Sequence, residues 1–183
     1  MTEAPAATAA DVVGFWREAG PQRWFRKDEA FDQRCRAVLQ QAHEAAARGE
    51  VGHWAASAEG ALALVLLLDQ FPRNAFRGTA RMYATDPLAR EVADQALRAG
   101  FDREVEPALG RFFYLPFMHS ERLDDQERSV ALNLPLGDDS ARYALHHRDI
   151  IRRFGRFPHR NALLGRASTA EERAFLAEGG FAG

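Results

Sequence analysis

The chemistry of this chain is to be sought in the polar residues that interrupt its apolar and aromatic runs. They are Asp69, Gln70, Arg73 and Asn74 in DQFPRN, His119, Ser120 and Glu121 in FMHSE, His147, and Arg156, His159, Arg160 and Asn161 in GRFPHRN. Arginine presents a planar fork of donors that matches a carboxylate or phosphate, and asparagine offers both a donor and an acceptor. With Trp54, Phe71, Tyr114 and Phe157 as apolar walls, the set suits a groove for a small anionic ligand or an acidic peptide end. The same residues would serve a hydrolase, with His119 or His147 as general base and Asp69 or Glu121 orienting it. In a third reading the chain is a structural adaptor, and Arg73, Asn74 and Asn161 satisfy the carbonyls that helix ends leave open.

Other chemistries find no support in the spacing. His119, Glu121, His147 and His159 are ligand types that suit zinc, but H-x-E is not a helical i, i+4 pair and no HExxH occurs. Neither a metal nor another cofactor is expected. Serine-hydrolase, P-loop and dinucleotide-binding motifs are absent from the sequence. Cys35 is the only cysteine, which removes internal disulfides and CxxC sites, and it lies on the apolar stripe of a helix. The chain has 183 residues, a net charge of −2 and interspersed charges, so no nucleic-acid stripe stands out. Its longest apolar run, Ala61 to Leu68, is far short of the roughly 20 residues a membrane span needs. A cytoplasmic location is expected, and the oligomeric state is left open.

Helices must position these residues, because the apolar positions recur with helical period almost throughout. Val12, Phe15, Trp16 and Ala19 form one stripe; Phe31, Cys35, Val38, Leu39, Ala42 and Ala46 form a second, longer one that Gly49 stops. Ser57 is placed to cap a helix that is apolar nearly all round and therefore central. That helix should break near Phe71, because Pro72 biases its predecessor away from helical geometry. Pro158 should end a second helix in the same way. Asp86 is read as an N-cap with Pro87 behind it and Gly100 as the stop. Tyr143, His147, Ile150, Ile151 and Phe154 share a face, and Thr169 and Glu172 have the spacing of a capping box. Asp69 lies near the end of its helix, where the macrodipole disfavours a negative charge, so it should draw a cation from Arg73, Arg156 or Arg160. About eight or nine helices and no strands are expected, in a single domain over residues 11–183 after a loose segment at 1–10.

The motifs FW at 15–16, WF.KD..FD from Trp24, LLLDQFPRNAFRGTARMYATD, FFYLPFMHSERLDDQ and HRDIIRRFGRFPHRNALLGRAST form one set over residues 12–181. In them the chain resembles the bacterial domain-of-unknown-function family numbered 924. The resemblance implies a tetratricopeptide-like, right-handed stack of antiparallel helices, and it implies no activity, substrate or catalytic residue.

Overall fold

A computed structural model describes residues 7–181, and all their regular structure is helical. The longer helices are Ala9–Ala19, Glu29–Ala47, Ala58–Val65, Asp86–Ala99, Leu123–Asn133, Asp138–Phe154 and Ala170–Ala177. This all-α domain comprises two compact units. One takes the described residues up to Arg77 with Arg81–Pro116; the other takes Gly78–Ala80 with the described residues from Phe117 onward. Residues 1–6 of the expected loose segment lie outside the described residues. Its end is ordered, since Thr8 caps the Ala9–Ala19 helix in a capping box with Asp11.

In the first unit the run Ala61–Leu68 is buried on every side, as its all-round apolarity requires. The helices Ala9–Ala19, Glu29–Ala47 and Asp86–Ala99 surround it. Ser57 caps its start by accepting from the Gly60 N–H. Gly60 itself is dictated by packing, because a Cβ there would stand 2.1 Å from the Trp54 carbonyl oxygen.

The expected break at Phe71 does not occur. From Leu66 to Gln70 the helix widens to a π-turn, with the Phe71 N–H donating to the Leu66 carbonyl, and it then continues as α-helix over Phe71–Ala75. Proline lacks the N–H that either helical pattern would aim at the preceding turn. Pro72 would have been the π-type donor to Leu67 and the α-type donor to Leu68. Both carbonyls find donors elsewhere: His43 Nδ1 lies 2.9 Å from the Leu67 oxygen, and Thr85 Oγ1 donates to the Leu68 oxygen at 2.6 Å. Burying Leu66, Leu67 and Leu68 contributes ~1.5–3 kcal/mol per side chain, which outweighs the poorer hydrogen bonds of one wide turn. Thr85→Val keeps the shape and removes a donor. It is expected to lower stability by about 1–3 kcal/mol in urea denaturation, and a loss below ~0.5 kcal/mol would contradict this account of the bulge.

Thr85, not Asp86, holds the N-cap position of Asp86–Ala99, and no side chain caps that helix. The Asp86 carboxylate is taken by Arg73 instead. Gly100 ends the helix as expected, in the left-handed region at φ 80°. Val38 is a further correction: it is 45% exposed although it shares the apolar stripe of Glu29–Ala47.

In the second unit the helices Leu123–Asn133 and Asp138–Phe154 pack together through the turn Leu134–Leu136. Ile150, Ile151 and Phe157 form a buried cluster, with Phe154, Phe175 and Phe181 against it. Gly155 at φ 69° ends the Asp138–Phe154 helix, so Pro158 does not. Phe157 is extended, and Pro158 opens the short 3-10 turn Pro158–Arg160. The two Phe-Pro corners therefore differ: one lies inside a helix and the other leads an extended step into a turn. Tyr143, expected on the buried face, is 58% exposed. The capping box of Thr169 and Glu172 is formed.

Candidate functional site

Within the first unit the DQFPRN residues close on one another. Asp69 is fully buried in the wide turn and finds a cation in Arg73, one turn on, 3.4 Å from its Oδ1. Gln70 Nε2 donates to the other carboxylate oxygen at 2.6 Å. Arg73 also donates to the Asp69 carbonyl and, in a two-pronged pair, to both oxygens of Asp86 at 2.8 and 3.0 Å. Burial opposes the charge on this guanidinium, yet Asp69 and Asp86 hold its pKa above the ordinary value. Asn74 Nδ2 donates to the Gln70 carbonyl, and its Oδ1 accepts from Arg77, which pairs with Asp32 on the Glu29–Ala47 helix. His43 packs on Phe71 with centroids 4.6 Å apart. Its burial, partly offset by the bond to Leu67, lowers its pKa, and the bond to a carbonyl requires the proton on Nδ1.

Within the second unit, the FMHSE and GRFPHRN residues join. Glu121 accepts from the Phe157 N–H at 2.8 Å and takes a two-pronged pair from Arg166 at 2.7 and 2.9 Å. Burial works against its ionisation, but these donors outweigh it and hold the carboxyl below the usual range. Arg160 Nη2 donates to the His119 carbonyl at 2.9 Å, and its guanidinium lies 4.5 Å from the Phe157 ring centroid. His147 and His159 each stand 5.7 Å from that same ring. His147 Nδ1 bonds the Tyr143 carbonyl at 2.8 Å. Burial, with His119, His146 and Arg160 adding positive potential, pushes the His147 pKa down to about 4.

Arg156, a candidate partner of Asp69, goes instead to Glu172, at 2.6 and 2.8 Å. Glu172 also accepts from Asn161 and from the Thr169 N–H. The Arg156 bonds, against the cost of burial, bring its carboxyl down to about 2. Ser120 donates to Asp125, and Gln126 Nε2 pins the same loop through the Met118 and Ser120 carbonyls.

Sequence reasoning gave no role to His43, Thr85 or Arg166, and it read Asp86 only as a helix cap. The capping-box spacing singled out Glu172, though not its second task of binding Arg156. Nothing local marks His43, because its role exists only beside the carbonyl of Leu67. Of the apolar walls, Phe71 and Phe157 are fully buried core rings, and the Tyr114 hydroxyl donates to Asp102.

A cleft of ≈ 380 Å3 in the first unit is lined by Leu62, Leu109, Arg17, Glu59, Glu104 and Glu106 among others, and none of the sequence-predicted site residues lines it. Among the described residues there is no cluster of three or more potential metal ligands, and no helix is long and apolar enough to cross a membrane.

A family model described as a bacterial protein of unknown function, DUF924, matches residues 12–180, and the chain belongs to that family. No curated protein matches it. A solved structure of a protein of unknown function, ATU0120 from Agrobacterium tumefaciens, is similar to it throughout. The two share 57% identity over 93% of this chain and 97% of the other, with a TM-score of 0.91.

Proposed function

We propose that the second unit binds a small anionic molecule, through a carboxylate or phosphate, at the cluster around Phe157. The observation that carries this reading is the convergence on one buried ring of the Arg160 guanidinium and the His147 and His159 imidazoles, with His119 held to Arg160 through its carbonyl. Arg160 supplies the positive charge of this poorly solvated place, and an anion bound beside it would favour protonation of the neighbouring His147, which is otherwise held neutral.

Binding is favoured over acid/base hydrolysis because both carboxylates that could orient a histidine base have other partners. Glu121 is held by Arg166 and the Phe157 N–H, Asp69 by Arg73 and Gln70, and His147 directs Nδ1 to the Tyr143 carbonyl. Titration with acetate and inorganic phosphate, followed by calorimetry and by the His147 ring resonances, tests the proposal. Saturation is expected to raise the His147 pKa, and Arg160→Met to weaken binding at least about tenfold, or 1.4 kcal/mol. Binding that survives Arg160→Met, or the absence of binding by either anion, would overturn it.

A further inference from the structure

Phe181 is placed unlike the other rings of the second unit. Its centroid lies 4.7 Å from His147, 5.1 Å from His159, 5.6 Å from His146 and 6.4 Å from Phe157. The three imidazole contacts are edge-on, the arrangement an aromatic ring prefers among rings. Phe154 and Phe175 pack on each other at 5.0 Å, and all three rings rest against the cluster of Ile150, Ile151 and Phe157. Phe181 differs in adding a cage of three imidazole neighbours, and it remains partly exposed.

The backbone that delivers it follows the Ala170–Ala177 helix through two glycines. Gly179 takes φ 83°, which only glycine adopts freely, and a Cβ on Gly180 would stand 2.4 Å from the Phe175 carbonyl oxygen. The segment therefore turns back sharply and lays Phe181 on the imidazoles. Because Arg160 stacks on the same Phe157 ring that borders the cage, a planar ring there would stand near the Arg160 guanidinium.

We infer that Phe181 occupies, in cis, the place of a ligand's aromatic ring, so that the anion bound at this cluster is an aryl carboxylate or aryl phosphate and the 179–181 segment gives way to it. This inference rests on the anion-binding reading above. It adds the substrate class: the imidazole cage selects the ring, and Arg160 with its neighbours selects the charge.

Calorimetry with benzoate against acetate, and phenyl phosphate against inorganic phosphate, provides the test. Phe181→Ala empties the cage and is expected to tighten benzoate and phenyl phosphate about tenfold while leaving acetate and phosphate within about twofold. Phe181→Trp overfills it and is expected to weaken the aryl ligands selectively. Should all four ligands respond equally to Phe181→Ala, or the aryl pair not respond to either variant, the inference is overturned while anion binding stands. If Arg160→Met leaves all four affinities unchanged, or none of the four binds, the anion-binding reading falls and takes this one with it.

Discussion

Arg73→Met is expected to destabilise the protein by about 3–5 kcal/mol, because it removes one partner of a buried charge network. Asp69 is wholly inaccessible and the Asp86 side chain is 13% exposed, and both face the same guanidinium. Methionine preserves most of the aliphatic stem, so the loss reports the charge and not the packing. The substitution also strips the Asp69 carbonyl of a donor within the wide turn, and that carbonyl belongs to the segment that carries Pro72. Urea denaturation at neutral pH measures the effect. A double variant with Asp69→Asn should recover part of the loss, since it removes a negative charge that the single variant leaves buried. A loss for Arg73→Met below about 1 kcal/mol would show that the network does not hold the corner together.

The second large effect is acid lability that begins well above the carboxylate range. The folded-state pKa of His147 is about 4 and its ordinary value is 6.5, so the unfolded chain takes up the proton first. The contribution to stability is fully present above pH 6.5, declines as pH falls from 6.5 towards 4, and is constant below that. Over the whole interval one such histidine removes about 3 kcal/mol. His43, whose pKa is lowered as well, acts in the same direction in the first unit. His147→Gln is expected to flatten the fall of unfolding free energy between pH 6.5 and 4.5 by about one proton's worth of slope, whatever it does to stability at pH 7. An unchanged slope would mean that His147 titrates normally in the folded protein. Below pH 4.5 the depressed carboxyls of Glu121 and Glu172 add a further loss, because their ion pairs are present above the ordinary carboxylate pKa and disappear as those groups protonate.

Much of this fold could be read residue by residue. Ser57, Gly100 and the Thr169–Glu172 pair mark helix boundaries through bonds that span a few residues, and each does so in the structure. The run Ala61–Leu68 is apolar on every face, and only a central position satisfies that. The polar residues of the candidate site could also be picked out, since unusual residue types among apolar neighbours need no structure to be noticed. Val38 and Tyr143 show the limit of periodicity. Helical period places both on an apolar face, but exposure depends on whether another element covers that part of the face, and here none covers it fully.

What the sequence determined by itself, then, is the all-helical class, the caps, the central helix and the list of polar residues worth examining, because these follow from interactions within one or two turns. The tertiary structure decided what the residues do. Pro72 stays inside a helix because His43 and Thr85, 24 and 17 residues away from the carbonyls they serve, supply the missing donors. Arg73 turns to Asp86, Arg156 to Glu172 and Glu121 to Arg166 for the same reason: a buried charge takes the counter-charge that folding brings within reach, and sequence spacing carries no record of that distance.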